Sequence, residues 1–356
     1  MKKVVIVIIF LLVGLRAFGI NVLFIAPSGN YAIISQQMIN GLELSLPGGV
    51  NVIQVDSRVN YRPYLKNYRP EIVIGPFFDT NVARLEDEVC NKNLYVFLPF
   101  SKNTDNCSNV FFLGYDPLRA AQEAANAVCN TQAETIAVFY SFNKLNMTEK
   151  DEFLRSLSVC GKTALLVSGI PTFFNLMDQF VKESFGVRKL KRFSGLTQGR
   201  IFTYDLKLDA LAVFAPQNVF AHLLSVLDYY DIYPEIVIST DLTADEHILG
   251  ISRNMLRHVN IITPFYMCGS GTVSENFLKE YRERYFENPT RFSALGFDIG
   301  LAVSHVLKTG SIEGFNDREL LEGHLLFFND RNIAVIDYKK IGYGEIVRCR
   351  RQILSR

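Results

Sequence analysis

The chain has almost no net charge to offer. Its 37 lysines and arginines are met by 36 aspartates and glutamates, so no chain-wide basic field exists to gather nucleic acid or to hold it on an anionic membrane. Any partner must be recognised locally. The compact signatures of nucleotide and hydrolytic chemistry are also missing. No G-x-G-x-x-G follows an apolar run, and G-x-x-x-x-G-K-[ST], H-E-x-x-H and G-x-S-x-G are absent. "CGSGT" at 268–272 contains glycines without the full fingerprint and reads as a loop. The histidines, His222, His247, His258, His305 and His324, show no ligand spacing. These absences argue against an enzyme and point to no catalytic residue, metal or cofactor.

A membrane-spanning run is lacking as well. The apolar stretch Val4 to Leu15 falls short of the roughly 20 residues a spanning helix requires. Preceded by Lys2 and Lys3 and followed by Ala17 and Gly19, it has the form of a cleavable secretion signal over residues 1–19. A periplasmic location is therefore expected. In an oxidising compartment the six cysteines can pair. Cys90 lies near Cys107 and Cys129 near Cys160, whereas Cys268 and Cys349 are remote from the rest; no C-x-x-C or zinc-like cluster occurs. Six cysteines allow 15 connectivities, so spacing alone leaves the pairing open.

What is present is an alternation of strand and helix. Short apolar runs recur: "NVLFIA" (21–26), "NVIQV" (51–55), "EIVIG" (71–75), "LYVFL" (94–98), "TIAVFY" (135–140), "TALLV" (163–167), "ALAVFA" (210–215) and "EIVIS" (235–239). Between them, "LRAAQEAANAV", "TFFNLMDQFVKESF", "NVFAHLLSVLDYY" and "SENFLKEYRERYF" place apolar residues three or four apart, the pattern of a helix with one buried face. Continuous apolar strands imply burial on both faces and hence parallel sheets covered by helices. The class is α/β. Ligands of such sheets sit outside the carboxyl ends of the strands, where helix N-termini present free N–H groups. "EIVIGPFFDTNVARLEDEV" reaches such a point. Pro76 fixes the turn, Asp79 or Thr80 can cap the next helix, and Phe77 and Phe78 either face the crevice or close the top of the core.

In order along the chain, "LFIAPSGNYAIISQQMINGLELS", "EIVIGPFFDTNVARLEDEVCNKNLYVFLPFSKNT" and "NVFFLGYDPLRAAQEAA" resemble the first lobe of type I periplasmic binding proteins of the branched-chain amino-acid-binding kind. "DALAVFAPQNVFAHLLSVLDYYDIYPEIVISTDLTADE" is similar to the second lobe, and "FLKEYRERYFENPTRFSALGFDIGLAVSHVL" to the returning helix pair. The resemblance implies two Rossmann-like lobes, 20–132 with 245–322 and 133–244 with 323–356, crossed three times by the chain and closing on a ligand by hinging. It implies a solute-binding protein that takes an amino-acid-like or related small molecule, serves an ABC-type membrane permease, and has no nucleic-acid partner.

Carried over position by position, the family's contacts fall on Phe77, Phe78, Asp79 and Thr80; on Phe100, Ser101, Asn103 and Thr104; on Gln217 and Asn218; and on Ser239, Thr240 and Asp241. Ser101 and Thr104 suit a ligand carboxylate. Bulky rings and an acid at 77–79 do not. Asp241 matches the acid that amino-acid binders set against an ammonium group, and equally fits a helix N-cap. Where those binders tend to place an aromatic, the best match is Ile34, with Tyr31 out of register. Arg188, Lys189, Lys191, Arg192 and Arg200 crowd a segment that solute binders usually keep short and that reads as a solvated basic loop. With "LDYYDIYPEIVISTDL" it is also similar to penicillin-binding protein activators, which would make a cell-wall synthase the partner instead.

Overall fold

The computed structural model describes residues 20–29, 32–77, 79–90, 92–100, 107–114, 116–189, 202–240, 251–263, 265, 272–315, 321, 323–328, 331–336 and 339–341. The proposed signal, 1–19, lies outside them. The chain divides into two compact units, 1–115 with 276–336 and 116–275 with 337–356.

The first unit is built on a seven-stranded sheet. Five parallel strands, β1 (Ile20–Ala26), β2 (Val50–Asp56), β3 (Ile72–Ile74), β4 (Tyr95–Leu98) and β5 (Val110–Phe112), are joined by a carboxyl-terminal hairpin, β13 (Gly323–Phe328) and β14 (Arg331–Ile336). Their order is β13-β14-β5-β4-β3-β1-β2. β14 runs parallel to β5 through Ile333 and Phe112, and β13 runs antiparallel to β14. β1 is solidly apolar and buried from Val22 to Ala26, as a strand covered on both faces must be. Helices α1 (Ala32–Ser45) and α10 (Arg291–Thr309) cover one face, with Met38, Leu42, Leu295 and Ile299 in one core cluster with Phe24, Ile74 and Phe97. They come close because glycines meet on the seam: a Cβ on Gly41 would lie 1.8 Å from the Ser293 carbonyl oxygen, and one on Gly296 would lie 2.0 Å from that of Met38. On the other face α2 (Arg62–Tyr68) and α3 (Asp79–Val89) accompany a second cluster, in which Val82, Leu85 and Val89 meet Leu23, Ile25, Val73 and Val96.

The second unit repeats the plan. Parallel strands β6 (Ile136–Tyr140), β7 (Leu166–Gly169), β10 (Ala210–Phe214), β11 (Ile236–Thr240) and β12 (Val259–Thr263), with antiparallel β15 (Lys339–Ile341), run in the order β15-β12-β11-β10-β6-β7. Helix α4 (Pro117–Cys129) starts where the Asp116 carboxylate accepts from the Leu118 N–H at 3.0 Å, with Pro117 at the first position. Its small residues Ala121, Ala124, Ala125 and Val128 pack with Phe153 and Leu157 of α5 (Lys144–Val159) and with Ile136, Ala212 and Phe214 of the sheet. Across the sheet, Phe139 packs edge-on against Phe180 and Phe185 of α6 (Met177–Phe185), and α7 (Gln217–Tyr229) buries Phe220, Leu223, Leu224 and Leu227. A disulfide joins Cys129 at the end of α4 to Cys160 just past α5, and another joins Cys90 to Cys107 in the first unit. Both are the sequence-near pairs; Cys268 and Cys349 lie outside the described residues.

Two features differ from expectation. The division falls at 115/116, 275/276 and 336/337 rather than at 132/133, 244/245 and 322/323. Helix α4 goes with the second unit because its alanine face supplies that core, and 323–336 goes with the first because the hairpin extends the first sheet. The basic segment starts as a strand: β8 (Arg188–Lys189) pairs antiparallel with β9 (Phe202–Thr203), and Arg188 is ion-paired with Asp205 at 2.6 Å. Residues 190–201 lie outside the described residues.

Candidate functional site

In chain order the parallel strands of each unit lie 2-1-3-4-5. The connections therefore diverge at one place in each sheet, between β1 and β3 in the first unit and between β6 and β10 in the second. Such a switch point opens a crevice at the carboxyl ends of the strands, the usual ligand position in open α/β sheets.

At the first switch point the turn after β3 is held by Gly75 and Pro76. Gly75 has φ +91°, and a Cβ there would stand 2.2 Å from the Ile25 carbonyl oxygen, so a side chain is excluded twice over. Its N–H donates to the Phe97 carbonyl at 2.8 Å. Phe77 is only 3% exposed and packs edge-on against Phe24 (5.8 Å) and Phe100 (5.2 Å); Phe100 in turn meets Phe292 at 5.9 Å. The break after β3 thus holds a ring that caps the core, the second of the two roles open to Phe77. Beyond β1 and β2, the Arg58 guanidinium donates to the Asp56 carboxylate at 2.7 Å and to the Ser28 hydroxyl at 2.6 Å, and Ser28 donates to Asp56 at 2.5 Å. Hydrogen bonds from Arg58 first, then from Ser28 and the Arg58 N–H, hold the Asp56 carboxyl well below the ordinary carboxylate range. Phe78, Ser101, Asn103 and Thr104 lie outside the described residues; Asp79 and Thr80 begin α3.

The second switch point is more open and more aromatic. Phe142, just beyond β6, is 66% exposed; its ring lies across Gly169, where a Cβ would stand 2.0 Å from the ring, and meets Tyr140 edge-on at 5.3 Å. Beyond β7, Phe173 is 69% and Phe174 48% exposed, and the Phe174 ring meets His222 of α7 at 5.2 Å. Gln217, half-buried, and Asn218, exposed, open α7 just past β10. At the same end of the sheet, on the α5 side, lies a carboxylate that the sequence reading missed. Glu149 of α5 is 1% exposed, accepts from the Thr240 hydroxyl at 2.8 Å and from the Asn146 amide at 2.9 Å, and so meets the carboxyl end of β11. Asn143 caps α5 by accepting from the Asn146 N–H at 2.9 Å. Asp241, next after Thr240, lies outside the described residues. No cluster of three metal-ligating side chains occurs among the described residues.

Chemically, this rim offers apolar ring surface and polar groups on one edge, and each ring, 48–69% exposed, leaves about half to two thirds of its area for a small molecule to cover. An aromatic placed directly after a strand, as in "TIAVFYSFN", was the available signal for Phe142. Glu149, within a charged helix, gave none.

Two sheets of this order, in units that exchange chain three times, have the type I periplasmic-binding-protein fold. Among solved structures, the chain is similar to a branched-chain amino-acid transporter substrate-binding protein from Streptococcus pneumoniae in complex with isoleucine, with TM-score 0.64, 14% identity, and coverage of 92% of this chain and 97% of that one. It is similar to a branched-chain amino-acid ABC transporter periplasmic ligand-binding protein from Burkholderia xenovorans, with TM-score 0.67, 11% identity, and coverage of 92% and 96%. A solute-binding protein of an ABC transporter from R. palustris, in complex with benzoate, matches with TM-score 0.63, 12% identity, and coverage of 91% and 93%. At these identities the likeness shows the fold. No protein-family profile matches the sequence, and no curated protein matches it.

Proposed function

We propose that the chain is an exported, non-enzymatic solute-binding protein that captures a small organic carboxylate with an apolar body and delivers it to an ABC-type membrane permease. The observation that carries this reading is the exposed aromatic rim, Phe142, Phe173 and Phe174, at the switch point of the second sheet. Rings left in water at that position are costly unless something covers them, and a solute with an apolar face would do so. Isoleucine and benzoate, bound by two structures of the same fold, each join a carboxylate to an apolar group. In this reading Phe100, Ser101, Asn103 and Thr104 serve the carboxylate end on the first unit, with Phe78, Asp79 and Thr80 beside them and Phe77 capping the core beneath. Gln217, Asn218 and Asp241 serve on the second.

The test is a thermal-shift and calorimetric panel of aliphatic amino acids, aromatic carboxylates and their amides against the mature chain. A ligand at about 100 times its Kd stabilises the native state by about 2.7 kcal/mol. Phe142→Ala should weaken a hit at least tenfold while leaving the unliganded midpoint in place. If the whole panel is silent and a cell-wall synthase co-purifies, the solute reading fails in favour of a regulator acting through protein contacts.

A further inference from the structure

A second site is suggested by a corner of the first unit that the solute reading does not use. In "SRVNYRPYLKNYRPE", Arg58, Arg62, Lys66 and Arg69 follow one another at intervals of four, four and three. Arg62 and Lys66, four apart, share one side of α2, while Arg58 in the preceding turn and Arg69 at the left-handed C-cap flank it, and all four are exposed. Arg84 of α3 and Lys92 beyond its end line the same hollows from the opposite side.

The hollows are two, of about 450 and 500 Å³, and they share Arg62 and Glu88. The first is lined by Arg58, Arg62 and Arg84 beside Tyr61, and the second by Arg62, Lys66, Arg69 and Lys92. Against these six cations stand, among the described residues, Glu71 and Glu88 in the lining and Asp56 paired with Arg58. Cations thus outnumber acids two to one there, in a chain whose formal net charge is +1. Arg58 is held by Asp56 at 2.7 Å, and Arg62 is held by Glu88, which fixes two guanidinium forks in place. Among the described residues, Lys66, Arg69, Arg84 and Lys92 have no ion pair. Each hollow has the volume of a small-ligand pocket. The paired Nε and Nη2 donors of Arg58 are already taken by Asp56 and Arg62 is held by Glu88, so the guanidinium groups of Arg69 and Arg84 and the ammonium groups of Lys66 and Lys92 are the ones that suit planar or tetrahedral oxyanions. The surface is concave at two adjoining places, which favours discrete anionic groups over the plane of a bilayer.

We propose that this groove is a second binding site, for a small anion carrying two or more phosphate or carboxylate groups that reach into both hollows. It is independent of the solute site, because none of its residues belongs to the aromatic rim. Tripolyphosphate is the probe, titrated calorimetrically into the mature chain at about 20 mM and about 150 mM salt, with citrate as the carboxylate arm and phosphatidylglycerol vesicles as the membrane arm. The expected result is saturable binding of tripolyphosphate, citrate or both, weaker at the higher salt, and lost at least tenfold in K66E/R69E/K92E. Binding of only one small anion identifies the head group. K66Q/K92Q, which only neutralises two exposed side chains, keeps the test open should the reversed variant misfold, and should weaken binding at least threefold. The proposal is overturned if neither small anion binds at low salt, if only vesicles bind, or if a folded variant binds as tightly as the parent chain.

Discussion

Replacing Gly41 by Ala tests how the first unit is assembled. In an isolated helix the change would be favourable by about 1 kcal/mol. In this fold the new Cβ would stand 1.8 Å from the Ser293 carbonyl oxygen, and since real Cβ contacts essentially never fall under 3.0 Å, α1 and α10 must part by 1.2 Å there. Backbone lies on both sides of the contact, so no rotamer change can absorb it. A gap of that order forfeits a quarter or more of each dispersion contact across the seam. If Met38, Leu42, Leu295 and Ile299 each direct some 20 atom pairs across it at about 0.15 kcal/mol, a quarter lost from each comes to about 3 kcal/mol in all. Less the helix-propensity gain, the expected net loss is about 2 kcal/mol, read as a lower urea midpoint at unchanged slope. Gly296→Ala, which meets the Met38 carbonyl at 2.0 Å, should cost about as much. The double variant should cost much less than the sum, because one separation relieves both clashes. Gly48→Ala has nothing within 4 Å of its Cβ and should stay within about 0.5 kcal/mol of the parent. A parent-like midpoint for Gly41→Ala, or full additivity in the double variant, would refute the seam argument.

Removing the bridge between Cys129 and Cys160, which are 31 residues apart, by a double serine change should cost about 4 kcal/mol in the chain-entropy treatment, and removing Cys90–Cys107, 17 apart, about 3; denaturation under matched redox conditions checks both. Gly75→Ala should lower the midpoint by more than Gly48→Ala does, because positive φ and the 2.2 Å approach to Ile25 act together; scanning calorimetry of the two variants compares them. The Glu152 carboxylate, 8% exposed, accepts from Arg155 at 2.5 and 2.9 Å and from Gln122 at 2.7 Å, and the Arg155 bonds first of all lower its pKa from 4.5. A depressed folded pKa gives stability that is fully present above the unfolded value and is lost as pH falls through the folded one. Glu152→Gln should therefore cost about 1 kcal/mol at pH 7 and show a shallower acid decline below about pH 4.5, and equal slopes in the two acid titrations would contradict this.

The parallel strands were legible because burial on both faces leaves nearly unbroken apolar text: "NVLFIA", "ALAVFA" and "EIVIS" fall on β1, β10 and β11 with shifts of a residue or so. Legibility faded at the edges. "TALLV" was read at 163–167, yet β7 occupies Leu166–Gly169, and with a partner on one side only it leaves Val167 exposed. β5 is three residues long, too short for periodicity to register. The glycine seam could not be read at all. Gly41 and Gly296 are 255 positions apart, and each alone looks like a weak spot in a helix. At the site, Phe77 reads in sequence as facing the crevice or closing the core, and it is buried in the core. Phe142, Phe173 and Phe174 escaped notice because an exposed phenylalanine looks like a buried one in sequence; only the strand order places them at a switch point.

Each described disulfide lies within one unit, Cys90–Cys107 in the first and Cys129–Cys160 in the second, yet the first unit is assembled from stretches on either side of residues 116–275. In the export proposed above, a chain emerging N-terminus first into an oxidising space would present both thiol pairs within its first 160 residues, before residues 276–336 have arrived to finish the first sheet. Oxidation can thus lock the amino-terminal portion of each layer ahead of final assembly. The late hairpin then adds to an edge whose neighbouring loop is already tied down.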